Sequence, residues 1–341
     1  MEKRLLLAGC GGMAAAWVEP ILANHKEAGF VALMDINPEA AAGYRAKYNF
    51  DCPVFTDLQE AIDASKPDIV LNITIPEAHE SVATIAMKSG CDVFCEKPMS
   101  DNYEACKRLV ALSESTGRRY SIMQNRRYNK NIRAYRDMIS SEVIGKTGYL
   151  GADFFIGAHF GGFRAVMDNP LVLDMAIHTF DQARFISGAD PVSVYCHEWN
   201  PPGSWYKGNA NAVVIYEMSD GSVFCYRGSW CAEGVNTSWE CEWRAQGDKG
   251  TCVWDGNSEV YAEVIDSSKA QEFIGPVKRV EAQWNWTGRN DHAGCIDDMF
   301  DALANKKPAM TDCRDNIHSM RMVFGAIESA RAGRKVLMSE L

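Results

Sequence analysis

An apolar run, Leu5 to Ala8, is followed at once by Gly9-Cys10-Gly11-Gly12-Met13-Ala14 and then by an alanine-rich stretch. A strand that turns through G-x-G-x-x-A into a helix constrains this chain more than any other feature, because it opens a parallel α/β sheet. Gly9 permits the tight turn, Gly11 lets backbone approach a pyrophosphate, and Ala14 allows close packing of helix on strand. The helix N-terminus then presents N–H groups and a positive dipole end to phosphates. Cys10, Gly12 and Met13 complete the loop and are candidate cofactor contacts.

The segments that follow continue the pattern. Phe30–Met34, Ile69–Ile73, Asp92–Cys95 and Tyr120–Met123 read as buried strands, separated by helical stretches such as Tyr103 to Ser115. Alternation of this kind predicts a parallel sheet with helices on both faces. The second strand ends in Asp35, 21 residues beyond Ala14, where an acidic side chain is expected on the adenosine ribose hydroxyls. A carboxylate there repels a 2′-phosphate, and Ile36 and Asn37 bring no arginine to neutralise one. NAD, not NADP, is the expected cofactor.

Beyond Met123 the texture changes. Helical spacing runs over Asn131–Ser141 and Leu173–Ile186. Leu150–Ile156, Val192–His197, Asn211–Glu217, Ser222–Trp230, Thr237–Gln246 and Glu259–Val264 read as strands, most with period-two alternation. Helices close the chain over Asp291–Ala304 and Arg314–Ala332. The expected fold class is α/β, with a Rossmann parallel sheet in 1–123. Residues 124–341 are expected to form an α/β domain with a large, mostly antiparallel sheet, used for substrate binding and oligomerisation.

Composition removes other classes. A length of 341 residues suits two domains, and 47% hydrophobic with 23% charged residues is a soluble, globular balance. No apolar stretch reaches the ~18 residues of a membrane span, and the first apolar run is too short for a signal peptide. A cytoplasmic location is expected. With a net charge of −10 and Arg126-Arg127 as the densest basic spot near a motif, nucleic acid is an unsuitable partner. The twelve cysteines are scattered, without CxxC pairs or cysteine–histidine clusters at zinc-ligand spacing, which points to reduced thiols and no metal.

Cys95-Glu96-Lys97-Pro98 resembles the EKP signature of the glucose–fructose oxidoreductase, inositol dehydrogenase and rhizopine-catabolism (Gfo/Idh/MocA) family. Asp174-Met175-Ala176-Ile177-His178 resembles that family's D-x-x-x-H motif. The glycine turn, Thr74-Ile75-Pro76 with His79, Gln124-Asn125 and the domain order match as well, so the resemblance spans essentially the whole chain. It implies an NAD-dependent oxidoreductase acting on a sugar, polyol or glycoside, with Lys97 and His178 as the proton-transfer pair. Asp174 would orient His178 or hold substrate. The residues carry the same chemistry: oxidising an alcohol needs a base for the hydroxyl proton. On a helix, positions 174 and 178 share a face, although Asp181 offers His178 a second carboxylate.

Thr74, Ile75, Pro76, His79, Glu96, Lys97, Asn125 and Arg164 join the candidate cofactor contacts. Candidate substrate contacts are Lys97, Asn125, Tyr128, Arg164, Asp174, His178 and Trp205. His159, Asp291 and His292 are weaker candidates. Eight of the nine tryptophans lie beyond residue 195; most suit sheet packing, while Trp205 sits in a loop-like segment and could stack on a sugar ring. By resemblance, and from apolar outer positions on the later strands, a homo-oligomer (dimer or tetramer) is expected. Two other readings use the same residues. A redox-assisted glycosidase or lyase would work through a transient keto-sugar, and a non-catalytic NAD sensor is disfavoured by the intact Lys97, Asp174 and His178.

Overall fold

Residues 3–270 and 272–341 are described by the structure, a computed structural model, and they divide into two compact units. In the first, strands β1 (Lys3–Ala8), β2 (Ala28–Met34), β3 (Val54–Phe55), β4 (Ile69–Asn72), β5 (Asp92–Cys95) and β6 (Tyr120–Ile122) alternate with helices. These are α1 (Ala14–Asn24), α2 (Pro38–Tyr48), α3 (Leu58–Ser65), α4 (His79–Lys88) and α5 (Tyr103–Thr116). All strand pairs are parallel, in the order β3-β2-β1-β4-β5-β6. That order reverses between β1 and β4, and the carboxyl ends of strands at such a switch point are where open α/β sheets bind ligands. Leu5, Leu6, Leu7, Ile69, Val70 and Leu71 are fully buried, as strands covered on both faces require. Side-chain caps start α2, α3 and α5: Asn37, Asp57 and Asn102 accept from Glu39, Glu60 and Ala105 backbone N–H groups.

The second unit carries α6 (Lys130–Ser140), α7 (Ala176–Ser187) and β7 (Thr147–Phe155), followed by β8 (Pro191–Trp199), β9 (Asn211–Met218) and β10 (Val223–Ser229). Strands β11 (Glu242–Gly247), β12 (Gly250–Trp254), β13 (Val260–Ile265), β14 (Val277–Glu281) and β15 (Val336–Leu337) complete a nine-stranded sheet. Its order is β14-β13-β12-β11-β7-β10-β9-β8-β15. Every pair is antiparallel except β7 with β10. Burial alternates along β8, with Val194, Cys196 and Glu198 inward. Helix α7 packs through Phe180, whose ring meets Tyr216 and Tyr226 edge-on at 5.2 and 5.4 Å. Burying that ring contributes about 1.5–3 kcal/mol and fixes the rotation of the helix about its axis.

Three expectations change. The strand expected over Thr237–Gln246 begins only at Glu242; Cys241 takes a left-handed φ of 67°, and Ser238 accepts from the Glu240 N–H, so 237–241 is a turn. The helix expected over Leu173–Ile186 starts as a π-helical turn, Pro170–Met175, before α7. Residues 289–320 belong with the first unit, which otherwise ends at Asn125, and residues 321–341 return to the second. The return has visible causes. In α8 (Asp291–Ala304), Phe300 stacks on His25 at 4.2 Å, and Asp297 Oδ1 lies 2.9 Å from His25 Nε2. Thr311 then exchanges hydrogen bonds with Ile122 of β6, just before α9 (Cys313–Ala332). No helix among the described residues is long and apolar enough to cross a membrane.

Candidate functional site

In the first unit, the chain after β1 passes so close to β4 that a Cβ on Gly9 would lie 2.4 Å from the Ile73 carbonyl oxygen. With its φ of 91° as well, only glycine fits there. Around Gly11 and Gly12 the opposite holds: a Cβ on either would meet nothing within 4 Å. Backbone there is open to a ligand. The Gly9 N–H is tied to the Met34 carbonyl at 2.8 Å. Asp35 reinforces the loop, its Oδ2 accepting from Cys10 N–H at 2.7 Å and its Oδ1 from Asn37 N–H at 2.9 Å. Helix α1 begins without a side-chain cap and without an acidic residue in its first turn, which leaves its dipole end available to phosphate. Met13, Ile36 and Ile75 are exposed apolar side chains around this edge. Burial and the Asp35 charge push the Cys10 thiol up to about 12, so it serves as packing and not as a nucleophile.

Lys97 stands where β5 ends. Glu96 N–H donates to the Asn72 carbonyl at 2.8 Å, and the Glu96 carboxylate accepts from Trp17 Nε1 at 3.2 Å. The turn that delivers Lys97 is thereby fixed to β4 and to α1. Trp17 meets His292 edge-on at 4.4 Å, and His292 Nδ1 lies 3.5 Å from the Asn125 amide nitrogen. Thr74 Oγ1 donates to Asn72 Oδ1 at 2.7 Å. His79, expected among the cofactor contacts, is fully buried.

In the second unit the D-x-x-x-H motif straddles the junction of the π turn and α7. Asp174 is 3% exposed and its Oδ2 accepts from Arg164 Nε at 2.5 Å. His178 is buried on α7. The Arg164 guanidinium also lies over the rings of Phe160 and Phe163 at 5.2 and 4.5 Å. Phe160 packs edge-on with Trp239 at 6.1 Å, and both rings are about half exposed. Arg164 and Asp174, singled out separately in the sequence, are thus a pair beside an aromatic surface. Asp181 has a partner that its spacing did not suggest. Both of its oxygens accept from Arg127, at 2.7 and 2.6 Å, in a buried bidentate pair. Tyr128 is buried with Arg133 over its ring, and Trp205 donates to the Ala158 carbonyl while stacking on His159 at 3.6 Å.

Two residues escaped the sequence reading. Tyr44 of α2 donates to the Gly11 carbonyl at 2.8 Å and steadies the glycine loop. Glu198 accepts from the Asn169 amide at 3.0 Å, immediately before the π turn. The alternation of β8 was the available signal, since it places Glu198 inward. Burial pushes this carboxyl up to about 7. A folded-state value above the unfolded 4.5 means that the protonated form is favoured by folding. Its stabilising contribution is complete below about pH 4.5 and is lost as pH rises through 7, a change of about 3 kcal/mol. Glu198→Gln is therefore expected to raise the unfolding free energy relative to wild type at pH 8 and not at pH 4.5. Urea titrations at both values check this, and an equal difference at the two would sink it.

The family model described as "Oxidoreductase family, NAD-binding Rossmann fold" matches residues 3–124. That described as "GFO/IDH/MocA C-terminal domain" matches residues 132–253. An inositol 2-dehydrogenase from Burkholderia lata is 29% identical over 57% of this chain and 57% of its own length. The fold is shared with an oxidoreductase from Agrobacterium radiobacter in complex with NAD+, L-tartaric acid and magnesium. That similarity has a TM-score of 0.86 at 21% identity, and covers 100% of this chain and 99% of the other. It is also shared with the WlbA dehydrogenase from Bordetella pertussis in complex with NADH and UDP-GlcNAcA, at a TM-score of 0.82 and 19% identity over 99% of each chain.

Proposed function

Because the chain belongs to the Gfo/Idh/MocA oxidoreductase family and its first domain is an NAD-binding Rossmann fold, we propose that it oxidises or reduces a ring carbon of a sugar, polyol or glycoside. The observation that carries the substrate class is the Arg164–Asp174 pair beside half-exposed Phe160 and Trp239. A donor and an acceptor 2.5 Å apart can bridge vicinal hydroxyls, and an aromatic face suits the C–H side of a ring. The inositol, tartaric acid and UDP-GlcNAcA in the names of the similar proteins are all polyhydroxylated, which favours the same class.

The loop from Gly9 to Met13 is assigned to the pyrophosphate, Asp35 to the adenosine ribose, and Thr74, Ile75 and Pro76 to the opposite wall of the dinucleotide site. When bound, NAD supplies the hydride acceptor. Lys97 and His178 take the hydroxyl proton in oxidation and return it in reduction; Asp174 and Arg164 hold the neighbouring hydroxyls. The products of oxidation are a ketone or lactone, NADH and one proton, so the reaction balances without another reagent. The thiol state of all twelve cysteines, ten of them buried, suits a reducing cytoplasm. Exposed Val192, Tyr195 and Ile215 on the sheet are the surface we assign to a homo-oligomer.

Purified protein with NAD, or separately NADP, and a panel of hexoses, inositols, sugar acids and aryl glycosides tests the reading by NADH absorbance. Accumulation of NADH with one polyhydroxylated group, and preference for NAD over NADP, is expected. Aglycone release without net NADH would replace the dehydrogenase with a redox-assisted cleavage enzyme. Silence across the panel, with NAD shown to bind, would reject the sugar class.

A further inference from the structure

His79 opens α4 with its side chain 0% exposed, so its ring is closed off from solvent. Its two nitrogens reach two different loops. Nδ1 lies 2.7 Å from the Pro98 carbonyl oxygen, one residue beyond Lys97, and Nε2 lies 3.1 Å from the Thr74 carbonyl oxygen. Those loops leave the carboxyl ends of β5 and β4, which are neighbours in the sheet. The histidine backbone is itself held, since its carbonyl accepts from Asn72 Nδ2 at 3.2 Å, and Asn72 accepts from Thr74. One imidazole therefore spans the gap between the turn that carries Lys97 and the loop that runs through Thr74 and Ile75.

A carbonyl oxygen only accepts, and a neutral imidazole has one N–H to give. Burial and the nearby Lys97 charge lower the proton affinity of the ring, which favours the neutral form with a single N–H. The shorter contact is the one to Pro98. We propose that His79 is a positioning residue for Lys97: its Nδ1–H, donated to the Pro98 carbonyl, fixes the turn on which Lys97 stands. Nε2, unprotonated in that tautomer, faces the Thr74 carbonyl oxygen lone pair to lone pair at 3.1 Å, which keeps that loop apart from the turn. This rests on the reading of Lys97 as a proton-transfer group. A misplacement of about 1 Å in such a group can cost about a hundredfold in rate.

Two amide variants separate the two contacts. The amide nitrogen of asparagine can stand where Nδ1 stands and reach Pro98, whereas that of glutamine extends to the Nε2 position and faces Thr74. His79→Asn is expected to keep kcat within about threefold of wild type. His79→Gln and His79→Ala are expected to lose roughly 10- to 100-fold in kcat, while the NAD Kd from calorimetry moves less than about threefold. The pH dependence of kcat should shift in His79→Gln and not in His79→Asn. Equal kcat for the two amide variants, or wild-type kcat in His79→Gln, would overturn the proposal. Nitrogen NMR of the wild-type histidines covers the case in which the variants fold poorly. Protonated Nδ1 at His79 is expected, and protonation at Nε2 alone would overturn the assignment. Lys97→Ala, measured alongside, keeps the two failures apart. Full turnover in that variant would remove the role of Lys97, whereas the NMR result reports on the His79 bond itself.

Discussion

Lys97→Ala and His178→Ala each lower kcat by roughly 10²- to 10⁴-fold and leave NAD affinity within a few-fold of wild type; this is the largest effect expected from any substitution in the chain. The range is what a positioned acid or base contributes when it moves a proton in the transition state. Lys97 is set by the bonds that fix its turn, Glu96 to Asn72 and Trp17, so its removal leaves the glycine loop and Asp35 untouched. His178 is on α7, and the Phe180 ring contacts with Tyr216 and Tyr226 that pack this helix remain when the imidazole is truncated. If both groups serve one proton transfer, the double variant should be scarcely slower than the worse single one, because residues that act as a unit are not additive. Steady-state rates with calorimetric NAD binding check this. Retention of full turnover by either single variant would refute its assigned role.

Asp181→Ala is expected to destabilise the second unit by about 3–5 kcal/mol. Asp181 is fully buried and its partner Arg127 nearly so. Removing the carboxylate takes the bidentate Asp181 acceptor away from a guanidinium that stays in the interior, near the Phe185 ring at 5.9 Å. Replacing both, as in Arg127→Met with Asp181→Leu, should recover most of the loss, because the penalty comes from keeping the buried charge after its bidentate carboxylate is gone. Denaturant unfolding monitored by tryptophan fluorescence reads both variants, since eight of the nine tryptophans lie in the second unit. A loss under about 1 kcal/mol for Asp181→Ala would contradict the assignment.

Much of this was legible in the residues, for unequal reasons. The parallel sheet was, because β1, β4 and β5 are short, wholly buried runs, and Gly9 and Asp35 stand at spacings that backbone geometry dictates. Strands β12 and β14 were not. Gly250–Trp254 is brief and begins with glycine, while Val277–Glu281 is an edge strand whose exposed face carries no alternation. The π turn at Pro170–Met175 was invisible because one extra residue per turn leaves no mark in an apolar pattern that remains helical to the eye. In the site, side-chain identity predicted chemistry better than partnership. Asp174 was weighed against His178, yet the bond it makes to Arg164 depends on the loop 157–169, whose path is set by long-range contacts. Asp181 was weighed as a partner of His178 on spacing, and only folding brings Arg127 to it as well.

The return of residues 289–320 to the first unit bears on how such proteins can be recombined. A chimera that grafts a relative's second unit after position 125 with a single crossover would carry the wrong α8. His25 would then lose the Asp297 and Phe300 contacts that hold it. Exchange of the whole second unit needs three crossovers, one near 125, one near 289 and one inside α9 near 320, so that β15 stays matched to β8.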